Sequence, residues 1–220
     1  MKQDTLPDLF DATPEPEPRV ELASGAVLLR GFALDCALDL LAGLESVIAE
    51  APFRHMVTPG GQSMSVAMTN CGAAGWITDR RGYRYERVDP LTGKAWPDMP
   101  LPFLSLAQRA ALEGGYQGFE PDACLINRYE PGSQLTLHQD KNERDYAAPI
   151  VSVALGLPAK FLFGGMERSA PVRRIMLHHG DTVVWGGPSR LAFHGIDTLK
   201  DGNHPATGHC RINLTFRKAL

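Results

Sequence analysis

The segment Gln134-Leu-Thr-Leu-His-Gln-Asp140 sets an imidazole and a carboxylate two residues apart. Leu135 and Leu137 alternate with Gln134, Thr136, His138 and Asp140, which is the period of a strand. Side chains at i and i+2 share a face of a strand, so His138 and Asp140 point together. A second histidine would complete the 2-His-1-carboxylate face that holds ferrous iron and leaves positions open for cosubstrate, substrate and oxygen. Leu191-Ala-Phe-His194-Gly-Ile, another alternating stretch, supplies it in His194. Alone, His-x-Asp is a weak signal; its weight depends on the company it keeps.

That company includes the last strand. In Arg211-Ile-Asn-Leu-Thr-Phe-Arg217 one face carries Arg211, Asn213, Thr215 and Arg217, and the other Ile212, Leu214 and Phe216. A strand with one apolar face ordinarily turns its polar face to water, but this one is unusually cationic and ends the domain beside the metal strands. Six residues at ~3.3 Å separate the two arginine Cα atoms by roughly 20 Å, and each side chain reaches about 6–7 Å inward. The guanidinium groups then converge to about the length of a five-carbon dicarboxylate, which a planar fork grips with paired hydrogen bonds. Asn127 and Tyr129 share a face of an earlier strand and add hydrogen-bonding groups; Arg128 lies between them, and we group it and Thr215 with the cosubstrate residues.

These residues need elements to position them. After Pro121 there are eight candidate strands, at 123–129, 134–140, 149–155, 160–163, 173–178, 182–185, 191–196 and 209–217, with turn signals such as Glu130-Pro-Gly132, Gly164-Gly165 and Gly180-Asp181 between them. So many short strands in one stretch point to a double-sheet jelly roll, whose mouth encloses a ligand. Upstream, residues 26–30 read as a strand and residues 34–50 as a helix packing through Leu34, Leu38, Leu41, Val47 and Ile48. A second packing helix runs from Phe103 to about Gly114. Between them the texture changes. Arg80, Arg81, Arg84 and Arg87 interleave with Trp76, Tyr83 and Tyr85 around a hairpin tip, Asp79-Arg-Arg-Gly82. Cations among aromatics suit a surface that holds phosphates and stacks bases; an ordinary solvated hairpin is the plainer alternative. Residues 1–20, with Pro7, Pro14, Pro16 and Pro18 among acids, are expected to be a flexible tail, leaving 21–220 as one domain.

Composition narrows the classes. At 220 residues with 21% charged and 44% hydrophobic residues, the chain suits one soluble domain. A net charge of −3 neither points to nor excludes nucleic acid, since a local basic groove outweighs the sum. Cys36, Cys71, Cys124 and Cys210 form no C-x-x-C pair, which fits a reduced, cytoplasmic setting better than a disulfide scaffold. No apolar run approaches ~20 residues, so no membrane span is expected. His178 and His179 sit beside a turn, and His55, His204 and His209 lack partner spacing; all five read as scaffold.

Together the motifs resemble the AlkB family of iron(II)- and 2-oxoglutarate-dependent nucleic-acid dealkylases. The resemblance covers nearly all the chain after the tail. It rests on Met56-Val-Thr-Pro-Gly-Gly61, Met64-Ser-Val-Ala-Met-Thr-Asn-Cys-Gly72, Pro121-Asp-Ala-Cys-Leu-Ile-Asn-Arg-Tyr129, Leu137-His-Gln-Asp-Lys141, Phe163-Gly-Gly165, Val184-Trp-Gly-Gly187, His194-Gly-Ile and the Arg211–Arg217 strand. It implies iron ligands at His138, Asp140 and His194. It implies Asn127, Tyr129 and Arg211 at the distal carboxylate of 2-oxoglutarate, and Asn213 and Arg217 near the carboxylate beside the keto group. Trp76 and Tyr83 match lid residues around a flipped base, and Arg168 another substrate contact. Thr58, Met64 and Thr136 match pocket or lid neighbours; the hairpin reading adds Arg84 and Tyr85. Where the family's bacterial members carry an acid two residues after the iron carboxylate, this chain has Asn142, which puts base preference in question.

The resulting expectation is a mainly β (α+β) fold: a double-stranded β-helix, or jelly roll, with buttressing helices. A nucleotide-recognition lid would span about 55–95 and a dioxygenase core about 120–220. The expected function is oxidative dealkylation of bases such as 1-methyladenine and 3-methylcytosine by a monomer acting on single-stranded or locally opened DNA, with RNA as a second substrate. Fe(II) is the expected cofactor, with 2-oxoglutarate and oxygen as cosubstrates and formaldehyde and succinate as products. A 2-oxoglutarate-dependent hydroxylase of a small molecule or protein side chain would share the iron and arginine strands but not the lid. A jelly-roll binding module would need neither.

Overall fold

A computed structural model describes residues 17–220. All eight strands expected after Pro121 form. They are β7 (Ala123–Tyr129), β8 (Leu135–His138), β9 (Ile150–Gly156), β10 (Ala159–Phe163), β11 (Arg173–Leu177), β12 (Thr182–Trp185), β13 (His194–Ile196) and β14 (Arg211–Arg217). Six precede them: β1 (Arg19–Ala23), β2 (Ala26–Leu29), β3 (Arg54–Val57), β4 (Ser63–Gly72), β5 (Gly75–Asp79) and β6 (Gly82–Glu86). The two helices are α1 (Ala37–Glu50) and α2 (Leu101–Glu113).

The strands sort into an eight-stranded sheet, ordered β1-β2-β12-β9-β14-β7-β4-β3, a four-stranded sheet, ordered β11-β10-β13-β8, and a separate β5–β6 ribbon. Alternation decides what each face of the large sheet meets. Leu28, Met68, Tyr129 and Trp185 turn toward the small sheet and pack with Phe161, Phe163 and Ile196. Their neighbours Val27, Leu29, Val184, Ile212, Leu214 and Phe216 turn the other way, onto Leu40, Leu44, Val47, Phe103, Leu106 and Ala110 of the helices. The sheet is therefore covered on both sides. All seven residues of β14 are buried, so its polar face looks into the space between the sheets and not to water.

Three expectations change. The buried stripe of α1 is Ala37, Leu40, Leu44 and Val47; Leu34 and Leu38 are exposed. Residues 34–36 form a 3-10 turn before the helix, which breaks the extrapolated stripe. The expected tail does not reach residue 20: Arg19 and Val20 already pair with Leu29 and Leu28, and the rest of that expectation, at residues 1–16, lies outside the described residues. The span assigned to the lid also divides. β3 and β4 extend the edge of the large sheet, and β5 and β6 pair only with each other, packed on β3, β4 and β7. No helix among the described residues is long and apolar enough to cross a membrane.

Candidate active site

β8 and β13 pair antiparallel with His138 directly opposite His194, so the two imidazoles face each other at 4.4 Å between ring centroids. Their approach depends on Gly195, where a Cβ would stand 2.5 Å from the Leu135 carbonyl oxygen. β8 ends at His138, one turn of the alternation earlier than expected, yet Asp140 still converges from the segment beyond it. His138 Nε2 lies 3.8 Å from Asp140 Oδ1, and His194 Nε2 lies 3.7 Å from Asp140 Oδ2.

Each imidazole has its other nitrogen fixed. Nδ1 of His138 is 2.8 Å from the Thr136 carbonyl oxygen, and Nδ1 of His194 is 3.0 Å from that of Ala192. A carbonyl only accepts, so both Nδ1 atoms carry the proton and both Nε2 lone pairs point at the same spot. Burial, reinforced by His138, pushes His194 down to about 4, so it is neutral at physiological pH. Burial would raise the Asp140 carboxyl, but Arg217 and the two imidazoles outweigh it and hold Asp140 well below the usual range. Two imidazole nitrogens and a carboxylate, all within 4.8 Å of one another, are the donor set iron(II) takes.

The floor of the site is a buried polar chain. Thr215 donates to Asn213 Oδ1 at 2.9 Å, and Asn127 Nδ2 donates to the same oxygen at 3.2 Å. Asn213 Nδ2 in turn donates to Ser152 Oγ at 2.8 Å, a partner that no motif in the sequence marks. The two arginines at the ends of β14 differ. Arg217 grips Asp140 Oδ2 through Nε at 2.8 Å and Nη2 at 2.6 Å. Arg211 is buried beside Tyr129, and its Nε and Nη1 have no hydrogen-bond partner. Burial pushes its guanidinium down to about 10. A buried cation with idle donors is costly unless an acceptor arrives, and one carboxylate of a dicarboxylate fits that need.

A cavity of about 550 Å³ opens above this floor. It is lined by the three metal ligands, Asn127, Tyr129, Asn213, Thr215 and Arg217, and by Thr58, Met64, Trp76, Tyr83, Thr136, Asn142 and Arg168. Trp76 and Tyr83 stack at 5.7 Å with planes 21° apart. Arg168 donates to the Leu137 carbonyl at 2.9 Å and lies over Phe193. Although the strand does not continue to position 142, Asn142 reaches the lid: its Oδ1 accepts from the Trp76 indole at 3.2 Å.

Three expected residues go elsewhere. Arg128 faces away from the cavity, paired with Glu130 at 3.0 Å and lying over Phe53. Arg84 pairs with Asp79 at 2.9 Å and Glu86 at 2.7 Å, within its own hairpin. Tyr85 lies beneath the mouth, donating to Glu143 Oε1 at 2.6 Å. Glu143 and its second partner Arg190, 3.2 Å away, are almost fully buried, and the sequence gives no sign of either. Neither lies on a periodic stretch, and a buried acid is recognisable only once its distant partners are known.

Comparison with known proteins accords with this geometry. Residues 14–217 match the family described as the 2OG-Fe(II) oxygenase superfamily. The chain is 60% identical to the alpha-ketoglutarate-dependent dioxygenase AlkB of Escherichia coli K12, over 96% of this chain and 97% of that protein. It is 32% identical to the mouse nucleic acid dioxygenase ALKBH1 over 61% of this chain, which is 34% of that longer protein. The solved structure of OsALKBH1 superposes with a TM-score of 0.80 at 28% identity, covering 91% of this chain and 100% of that one.

Proposed function

This chain belongs to the 2OG-Fe(II) oxygenase superfamily and, within it, to the AlkB family, and from that premise we propose how its residues divide the work of oxidative nucleic-acid dealkylation. Iron(II) is the cofactor, and 2-oxoglutarate and oxygen are the cosubstrates. Together they supply the oxidising power: 2-oxoglutarate goes to succinate and carbon dioxide, and the N-alkyl carbon is hydroxylated and lost as formaldehyde.

The chain's own part is positional. His138, Asp140 and His194 hold the metal through Nε2, a carboxylate oxygen and Nε2. Arg211, with Tyr129 beside it, takes the far carboxylate of 2-oxoglutarate. Arg217 holds Asp140 through Nε and Nη2 and would meet the carboxylate next to the keto group with its remaining donors. Asn127, Asn213 and Thr215 lock the floor so that these donors need no rearrangement when the cosubstrate arrives. Trp76 and Tyr83 form the aromatic clamp for a base taken out of the stack, which costs least for a damaged, poorly paired base. Asn142 and Arg168 stand at its edges. We take single-stranded or locally opened DNA as the main substrate and RNA as a second, acted on by a cytoplasmic monomer.

One observation carries the nucleic-acid reading: the stacked Trp76–Tyr83 pair lines the same cavity as the His138–Asp140–His194 face. A hydroxylase of small molecules has no use for that pair. The test is 2-oxoglutarate turnover with a methylated oligonucleotide and with its unmethylated twin. Strong stimulation by the methylated strand alone, with formaldehyde released, is expected. Equal turnover with both would sink the reading.

A further inference from the structure

Beneath the lid lies a cluster centred on Glu143 and Arg190, neither of which has a part in holding metal, cosubstrate or base. Glu143 Oε1 accepts from the Tyr85 hydroxyl at 2.6 Å and lies 3.6 Å from Arg217 Nε, while Oε2 accepts from Arg190 Nη2 at 3.2 Å. Arg190 also donates through Nη1 to the backbone carbonyl of Asp140 at 2.9 Å and through Nε to that of Ala148 at 3.0 Å. Arg217 Nη1, in turn, reaches the Tyr85 hydroxyl at 3.4 Å. The side chains of Glu143, Arg190, Arg217 and Asp140 are all nine-tenths or more buried.

Two carboxylates and two guanidinium groups thus share one buried pocket with a single phenol from the ribbon. Burying four charges is costly, and a scaffold alone does not need it: similar apolar packing is often as stable or more so. What the arrangement provides is a fixed direction for Arg217. Nε and Nη2 are held by Asp140, with Glu143 Oε1 flanking Nε, and Nη1 is held by the Tyr85 hydroxyl that Glu143 fixes, which leaves one donor each on Nη1 and Nη2 for a cosubstrate. Without the second hold it would swing wholly onto Asp140, already 2.6 Å from Nη2.

We propose that Glu143 and Tyr85 are positioning residues for Arg217, so that docking of the β5–β6 ribbon and the hold on 2-oxoglutarate are set by one junction. The proposal rests on the assignment of Arg217 to the cosubstrate. Glu143 also lies next to Asn142, so the same junction fixes the loop that edges the base clamp. Coupling of this kind is reciprocal: what favours the docked ribbon favours the cosubstrate, and the converse.

The experiment titrates 2-oxoglutarate into the manganese(II)-loaded protein by calorimetry and follows amide hydrogen exchange over residues 75–86. It compares wild type, Tyr85→Phe, Glu143→Gln, their double variant and Arg217→Ala. Tyr85→Phe should weaken 2-oxoglutarate about tenfold, the size of one lost bond to a charged group, and should speed exchange in the ribbon. Glu143→Gln supplies a test of sign. Removing a negative charge would by itself draw the dianion in more tightly, whereas removing the hold on Arg217 weakens it; weaker binding is expected. The double variant should lose little more than the worse single one, because both act through the same guanidinium.

Binding within twofold of wild type in folded Tyr85→Phe would overturn the proposal, even if the ribbon exchanged faster. Tighter binding in Glu143→Gln, or additive losses, would overturn it too. If Glu143→Gln fails to fold, Tyr85→Phe decides alone. Unchanged binding in Arg217→Ala would overturn the assignment of Arg217 itself and the junction with it. A loss there without one in Tyr85→Phe would remove only the junction.

Discussion

The floor of the site and the ribbon above it are built from opposite materials. On the floor, β14 lies between β7 and β9, buried over all seven residues, with Asn213, Thr215 and Arg217 hydrogen-bonded to one another or to Asn127, Ser152 and Asp140, and Arg211 left with idle donors. The ribbon pairs only with itself; Tyr83 is 48% exposed. Its inner face is covered, with Gly75, Ile77 and Thr78 buried against the large sheet, while its outer face is open. Its cations are also partly spent. Arg81 and Arg84 both pair with Asp79, and among the described residues Arg80 and Arg87 are the ribbon cations with no acid partner. The comparison teaches a division of labour. Under the proposed function, chemistry that tolerates little misplacement sits on doubly covered strands, and recognition of a bulky base falls to a ribbon with one open face.

The comparison breaks most easily at the floor. His138→Ala, Asp140→Ala and His194→Ala should each cut turnover by about a thousandfold or more while circular dichroism stays native, since each removes one of three metal ligands. Near wild-type demethylation by His194→Ala would take it out of the triad. Next in size, Arg217→Ala should raise the 2-oxoglutarate KM roughly ten- to a hundredfold, as expected for a lost charge-assisted pair. Arg217→Lys should recover part of this, because a point charge cannot reproduce the fork. An unchanged KM in both would mean that the cosubstrate binds elsewhere.

Much of the floor is legible in the sequence. Period-two alternation locates β7 to β14, and the i, i+2 rule puts His138 with Asp140 and Arg211 with Arg217. The rule fails where strand geometry is carried past the end of the strand. β8 stops at His138, so Asn142 owes its place to a loop anchored by Glu143 and not to alternation. The α1 stripe fails for a related reason: leucines occur nearly all round that helix, and packing against β4 and α2 chooses among them. Aromatic and cationic residues flag the ribbon, but sequence alone does not show that Arg84 spends its charge on Asp79 and Glu86 while Tyr85 turns inward.

Smaller effects sharpen the division at the ribbon. Asn142→Asp should raise kcat/KM for 1-methyladenine over 1-methylguanine by roughly tenfold. The first is cationic and offers an exocyclic donor, whereas the second is neutral and offers a carbonyl that a carboxylate repels. The aspartate can still accept from the Trp76 indole, so the ribbon should stay in place. A ratio that does not move on matched oligonucleotides would show that position 142 does not face the base. Smallest of all, Arg80→Ala should lower the slope of log affinity against log salt by roughly 0.7 on a single strand, the contribution of one phosphate contact. An identical slope would take Arg80 off the nucleic-acid path.

The division between floor and ribbon is tested most directly by the ratio of formaldehyde to succinate on a 1-methyladenine oligonucleotide. Wild type should give close to one formaldehyde per succinate. Trp76→Ala should lose the stimulation by the methylated strand, with formaldehyde falling about tenfold, yet keep the wild-type unstimulated rate of 2-oxoglutarate consumption, because the floor is intact and the base is no longer presented. If the unstimulated succinate rate, measured without a methylated strand, also fell in the folded Trp76→Ala protein, the ribbon would be part of the chemical machinery, and the division between the two regions would not hold.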